Sequence, residues 1–243
     1  EKKREIDALK EQEKFRREFL ANISHEFKTP LFAIQGYIDA LQDGMMQEDP
    51  ETATQFLTKA SQNLDRLTFL IKDLDEISKL ESGQIPINYQ KFDLVNLIKE
   101  VLESMEDKAK THDISLVFKE KYHSSMQVRA DREKIRQVLV NLISNSIKYG
   151  KSQGHTYIRI YELFEAVLVE VTDDGIGIEE KNLPRVFERF YRTDKSRSRK
   201  IGGSGLGLSI VKHIIEAHQQ TINVRSTEGM GTTFAFTLEK IKP

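Results

Sequence analysis

Over roughly the first 80 positions, apolar side chains recur every three or four residues, the period of a helix with one buried stripe. In the first of two such patterns Ile6, Leu9, Leu20, Ile23 and Phe27 share a stripe. Glu13 and Arg16 occupy its intervening positions, so it reads as a coiled-coil seam with a polar gap. The second pattern runs from about Pro50 to Leu80 through Leu57, Ala60, Leu64, Leu67, Ile71 and Leu74, widened by Phe56, Asn63, Leu70 and Ile77. Gly44 to Pro50 supplies the turn between them, since glycine suits a helix C-terminus and proline a first helical turn. A single helical hairpin buries little core. The pattern therefore predicts an all-α hairpin that two copies complete as a four-helix bundle.

The helical period stops near Ser82-Gly83, and residues 84–92 read as a linker. Beyond it, helix patterns at 93–110, 132–149 and 205–218 alternate with strand patterns at Ser115–Glu120, Met126–Arg129, Tyr157–Leu163, Ala166–Thr172, Ile222–Ser226 and Thr232–Leu238. Leu163 to Ala166 is a tight hairpin between two of these strands, which argues against a repeating βαβ array and a Rossmann fold. The expected architecture is an α+β two-layer sandwich with helices on one face of a mixed sheet. The chain thus divides into a charged lead-in at 1–18, a hairpin unit at 19–83, the linker at 84–92 and a sheet unit at 93–243.

Composition narrows the function. Lys+Arg 37 against Asp+Glu 38 leaves a net charge of -1, so no global field points to nucleic acid, and no nucleic-acid partner is expected. The absence of cysteine excludes disulfides, zinc-thiolate sites and thiol catalysis, and it suits a reducing compartment. No stretch approaches the ~20 apolar residues of a membrane span. The chain opens at Glu1 inside a helical pattern, which reads as a soluble, cytoplasmic segment of a longer protein.

Candidate chemistry falls in four places. The first is the run Ser24 to Leu31, where Pro30 interrupts a strong helical pattern and is expected to kink it one turn after His25. Ile23 and Phe27 flank His25 on the seam, so the imidazole is predicted to face outward. An imidazole nucleophile needs one unprotonated nitrogen, and the adjacent Glu26 can orient the ring or take a proton; a lone His-Glu pair is also compatible with an ordinary surface histidine. The second is Asn141, Asn145 and Lys148, spaced i, i+4, i+7 on one polar stripe. A solvated face would look the same, but an amide oxygen can ligate Mg²⁺ while an ammonium meets phosphate charge.

The third place is Asp173-Asp174-Gly175-Ile176-Gly177-Ile178, at the end of a strand. Its glycines allow close approach to a flat ligand, and a carboxylate there can accept from the exocyclic amine of adenine, though an Asp-Gly turn is also a common structural device. The fourth is Gly202-Gly203-Ser204-Gly205-Leu206-Gly207, ahead of an apolar helix whose first amides favour phosphate. It lacks a Gly-Lys-Ser/Thr ending, so a P-loop is excluded. Gly229 to Thr233, including Thr232, forms a further glycine turn, and residues 181–200 carry eight basic and two acidic side chains.

In this order the motifs resemble the H, N, G1, F, G2 and G3 boxes of sensor histidine kinases, over about residues 20–235. The family's common Ser-His-Glu-Leu-Arg-Thr-Pro-Leu appears with Phe27 and Lys28, and Asp174 stands where Asn is usual. The resemblance implies a dimerisation and histidine phosphotransfer hairpin followed by a GHKL-type ATPase domain. It implies His25 as phosphoacceptor, assisted by Glu26, with Thr29 placing water for a reverse phosphatase reaction. Asn145 would bind Mg²⁺, Asn141 and Lys148 would lie near the phosphates of ATP, and Tyr149 near the nucleoside. Asp173 would read adenine beside Gly175 and Gly177. Gly203, Gly205, Leu206, Gly207 and Thr232 would complete the ATP site, and Arg192 would meet the γ-phosphate.

The implied partners are a second copy in a homodimer, the receiver domain of a response regulator, and an upstream sensor domain in a membrane-anchored full-length chain. The alternatives are a GHKL-fold ATPase, or a nucleotide-binding dimer scaffold, without histidine phosphorylation.

Overall fold

The structure, a computed structural model, describes residues 2–81, 86–119, 125–192 and 204–241. It forms two compact units, Glu1–Glu76 and Ile77–Pro243. Ile6, Leu9 and Arg16, on the expected seam, fall outside the described side chains, as does the whole of His123.

In the first unit α1 (Lys2–Ala40) keeps helical secondary structure through Pro30. Pro30 is buried, so packing accompanies the lost backbone donor. The helix ends in a π-turn, Leu41–Met45, where Gly44 takes a φ of 102°. A short α2 (Met46–Glu48) follows, and α3 (Pro50–Glu81) then starts with Asp49 as its cap. The Thr52 N–H donates to Asp49 Oδ1 at 3.0 Å and the Thr52 hydroxyl to Oδ2 at 2.6 Å, with Pro50 at the first helical position.

The helices run antiparallel, as two contacts show: Glu26 pairs with Arg66, and the rings of Tyr37 and Phe56 lie 5.1 Å apart. The stripe on α3 divides between two neighbours. Within this hairpin Ala53 and Leu70 are buried and Phe56, Asn63 and Leu67 partly so, while Leu57, Leu64 and Ile71 are 49%, 58% and 56% exposed. The wide stripe is two adjacent faces, and only one of them meets α1.

In the second unit the sheet order is β1-β3-β7-β5-β4-β2, with β6 also on β7. Its strands are β1 (Gln90–Asp93), β2 (Ile114–Lys119), β3 (Gln127–Ala130), β4 (Gly154–Glu162), β5 (Ala166–Asp173), β6 (Ile222–Thr227) and β7 (Gly231–Lys240). Only β2 with β4 is parallel, so the sheet is mixed. The helices α4 (Leu94–Thr111), α5 (Arg132–Tyr149) and α6 (Gly207–Ala217) contribute Leu97, Ile98, Leu139, Ile143, Ile210 and Ile214 to a core that Ile158, Val169, Val171 and Phe236 complete from alternate strand positions. The intervening Tyr157, Arg159, Thr172 and Thr233 stay partly exposed. This is the expected sandwich.

Strand β1 occupies the last residues of the expected linker. Phe92 is its one buried side chain, so no alternation announces it. It is held by ladder bonds to β3 and by Asp93, whose Oδ1 accepts from Val95 N at 2.9 Å and Met126 N at 3.1 Å. A 3₁₀ helix at Glu180–Arg185, containing Pro184, also went unpredicted.

Candidate functional site

In the hairpin unit His25 is exposed, while its neighbours Ile23, Glu26 and Phe27 are partly buried. The imidazole therefore stands outside the stripe that meets α3. Glu26 points into that stripe, its side chain 16% exposed, and its Oε2 lies 3.0 Å from Nη2 of Arg66. Thr29 is exposed one turn after His25 and its hydroxyl donates to the His25 carbonyl at 3.2 Å.

In the sheet unit a cleft of about 620 Å³, open mouth included, is lined by Asn145, Tyr149, Asp173, Ile176, Gly177, Ile178, Val186, Tyr191, Arg192, Leu208, Thr232 and Phe234. Its lining is mostly apolar with a few polar groups among it, the make-up of a small-molecule site. The C-terminal half of α5 presents Asn145 and Tyr149 on one face, being one turn apart. Strand β5 delivers Asp173 at its end and β7 delivers Thr232 opposite it, as direct register partners.

Asp173 is the best-defined polar group in the cleft. Its Oδ1 accepts from Gly175 N at 2.9 Å and Thr232 N at 3.2 Å, and among the described residues Oδ2 has no hydrogen-bond partner. Burial pushes this carboxyl above its ordinary range, against the two backbone donors, and neighbouring Asp174 adds to the rise. An oriented, poorly hydrated carboxylate with one open oxygen suits an amine donor on a flat ring. Ile176, Ile178, Val186, Leu208 and Phe234 supply apolar walls for such a ring. Gly177 is required: its φ is 69° and an added Cβ would lie 2.1 Å from the Thr227 carbonyl.

Tyr149 closes the cleft on the α5 side. Burial raises its phenol, with Arg192 pulling in the opposite sense. The Lys148 ammonium sits 4.9 Å from the Tyr149 ring centre, over its face rather than on the cleft wall. Asn141 and Gly207 face each other: an added Cβ on Gly207 would lie 3.4 Å from Asn141 Oδ1. Leu206 is fully buried ahead of α6. Gly205, with a φ of 72°, packs on the backbone of Phe190, whose N–H donates to the Gly205 carbonyl at 2.9 Å. Gly175 serves through its N–H on Asp173. Gly203, Lys195, Arg197 and Arg199 lie outside the described residues.

Of the expected ATP-site residues, Asn145, Tyr149, Asp173, Gly177, Arg192 and Thr232 therefore line one cleft, and Asn141, Lys148, Gly175, Gly205, Leu206 and Gly207 are not part of its lining. The apolar lining was the part least visible beforehand, although Ile176 and Ile178 alternate with the glycines that were. Asp174 earns a place as well: its Oδ1 accepts from His155 N at 2.9 Å and its Oδ2 lies 3.3 Å from His155 Nδ1, tying the turn to β4.

A helical hairpin followed by a sheet unit with this cleft is the two-unit arrangement of a GHKL-type ATPase domain behind a helical domain. Two family models match the chain: "His Kinase A (phospho-acceptor) domain" at residues 15–83 and "Histidine kinase-, DNA gyrase B-, and HSP90-like ATPase" at residues 130–242. The chain belongs to the sensor histidine kinases.

It is 39% identical over 233 residues to the sensor histidine kinase WalK of Bacillus subtilis, a match covering 94% of this chain and 38% of that relative's length. Among solved structures it is similar to histidine kinase ThkA in complex with the response regulator protein TrrA, at 28% identity and a TM-score of 0.72 over 96% of this chain and 66% of that one. It is also similar to full-length ShkA in complex with AMPPNP, at 25% identity and a TM-score of 0.69 over 93% of this chain and 47% of that one. Among the described residues no helix is long and apolar enough to cross a membrane.

Proposed function

We propose that this chain autophosphorylates His25 from Mg·ATP and passes the phosphoryl group to an aspartate in the receiver domain of a response regulator. The observation that carries the proposal is the joint presence of an exposed His25 in its helical segment and a cleft in the sheet unit built around Asp173. The AMPPNP bound by ShkA and the regulator bound by ThkA support the same two roles.

In this reading residues 1–18 lead into the hairpin, 19–83 form the dimerisation and phosphoacceptor unit, and the residues after the linker that begins at 84 carry catalysis. The donor set fits the nucleotide. Asp173 Oδ2 accepts from the adenine amine, the apolar walls hold the ring, and Tyr149 flanks the nucleoside. Lys148 and Asn141 lie toward the phosphates, and Arg192 neutralises the γ-phosphate. Asn145 holds Mg²⁺, whose charge offsets that of the phosphates when bound. Among the described residues no group of three or more His, Cys, Asp or Glu gathers as a metal cage. The remaining ligands then come from phosphate and water, the usual habit of Mg²⁺.

In the transfer an unprotonated ring nitrogen of His25 attacks the γ-phosphorus. The N–P bond forms as the P–O bond to ADP breaks, and the second ring nitrogen gives up its proton toward the Glu26 carboxylate. Thr29, with an exposed hydroxyl, places water for the reverse dephosphorylation of the regulator. Two copies pair through the uncovered hairpin face. An upstream sensor domain and membrane anchor in the full-length protein, with this part on the cytoplasmic side, match the sensor role of its WalK relatives.

The test is transfer in two steps. The chain is labelled with γ-labelled Mg·ATP, freed of nucleotide and mixed with a receiver domain. Label should leave the kinase and appear on the receiver aspartate. Label that stays on the kinase with every receiver tried, or a chain that never labels, would contradict the proposal.

A further inference from the structure

The hairpin contains a charge pair whose arginine has no part in the transfer described above. Arg66 comes from α3 and Glu26 from α1, 40 positions apart, and they meet at 3.0 Å with side chains only 29% and 16% exposed. Arg66 Nε is buried without a hydrogen-bond partner, so Glu26 provides the guanidinium with its one hydrogen bond among the described residues.

Stability gives little reason for such a pair. Removing two charges from water is costly, and an apolar pair of similar volume in the same seam is often equally or more stable. The surrounding positions Asn63, Leu67 and Leu70 already follow the helical stripe that would accept one. What distinguishes this place is its position beside His25. Consecutive helical residues point about 100° apart, so a carboxylate turned inward at 26 needs an external restraint if it is to serve an imidazole turned outward at 25. A guanidinium is a fitting restraint, being planar, permanently charged and able to fix a carboxylate plane.

We propose that Arg66 is a positioning residue for phosphoryl transfer: it holds the Glu26 carboxylate in one orientation in the hairpin seam, at the position that follows His25. The inference rests on the reading of His25 as phosphoacceptor and Glu26 as its partner. When the nitrogen of His25 bonds phosphorus, positive charge grows on the ring. A fixed carboxylate stabilises that charge and receives the departing proton, whereas a loose one must first be ordered.

The test is a double-mutant cycle on the intact dimer, measured as the rate of phosphohistidine formation at saturating Mg·ATP. Arg66→Gln should slow the rate roughly 10-fold, a part of the 10²- to 10⁴-fold that a positioned proton-transfer group supplies. Affinity for AMPPNP, a property of the other unit, should not change. Arg66→Lys, which keeps the charge but not the planar fork, should restore only part of the rate. In a Glu26→Gln background, Arg66→Gln should cost no further rate.

A purely structural Arg66 gives a different pattern. Arg66→Gln would then lower the melting temperature, leave the rate per folded dimer intact and add its full effect to Glu26→Gln; that outcome overturns the proposal. Wild-type chain without phosphohistidine overturns the underlying reading, and Glu26→Gln at the full wild-type rate overturns the role of Glu26; either result takes the inference with it, and each is distinct from a failure of Arg66 alone.

Discussion

Thr232 donates its backbone N–H to Oδ1 of Asp173 across 3.2 Å, so the carboxylate that faces the cleft is held by the strand paired with its own. This arrangement sets binding against stability. Burial raises the Asp173 carboxyl above its reference of 3.8, so the fold prefers the protonated form, and stability from this group falls as pH rises from 3.8 through the raised value.

Asp173→Asn should therefore remove adenine recognition and relieve a buried charge at once. The expected result is at least about a 10-fold loss of ATP affinity, one hydrogen bond to a charged group, with a melting temperature equal to or above that of the wild type at neutral pH. Isothermal titration and thermal melting on the same preparation check both. In the wild type, ATP affinity should begin to fall on acidification above the ordinary carboxylate range. A variant that keeps its affinity would remove Asp173 from the site.

The helical period and the glycine turns made most of this site readable from residues alone. The α5 pattern at 132–149 coincides with the helix observed, and its Asn145 and Tyr149 do line the cleft. What stayed hidden depends on partners distant in sequence. Strand β1 exists through ladder bonds to β3, which leave no mark on side-chain alternation. The Glu26 to Arg66 pair spans 40 positions. The stripe on α3 was visible, but its division into a face for α1 and a face beyond it was not, because a stripe that wide serves two neighbours equally well. Asn141 and Lys148 show the converse: spacing placed them on the polar side of α5, but not their neighbours, Gly207 beside Asn141 and the Tyr149 ring under Lys148.

That second face predicts assembly. Leu57, Leu64 and Ile71 recur every seven residues and remain exposed, as do Leu31 and Phe32 on α1. Burial of a leucine contributes about 1.5–3 kcal/mol, and a dimer with twofold symmetry counts each position twice. Leu64→Glu should thus weaken pairing by at least about 100-fold. Sedimentation equilibrium should find the variant monomeric at micromolar concentration with its helix content kept; a dimer of undiminished affinity would move the interface elsewhere.

His218 predicts a pH dependence of folding. Its Nε2 accepts from Asp131 N at 2.9 Å and its Nδ1–H donates to the Ile214 carbonyl at 2.7 Å, so the buried ring is neutral, with the proton on Nδ1. Burial lowers its basicity below the reference of 6.5, outweighing the Ile214 carbonyl and Asp131. The unfolded chain therefore binds a proton first as pH falls, and stability declines from about pH 6.5 downward until the folded ring also titrates. His218→Leu should cost about 1–3 kcal/mol at pH 8 through the unpaired Asp131 N–H. It should also flatten the loss of melting temperature between pH 6.5 and the lowered value. An unaltered slope would assign the acid sensitivity to another group.

The most direct test of the whole account is the chemistry at His25. Purified chain is incubated with γ-labelled Mg·ATP alongside His25→Gln and Asn145→Ala, and the protein is then treated with acid or alkali. The wild type should carry label that acid removes and alkali leaves. His25→Gln should carry none while still binding AMPPNP, and Asn145→Ala should carry none because the nucleotide is not productively held. Acid-labile, alkali-stable label on His25→Gln would contradict the assignment.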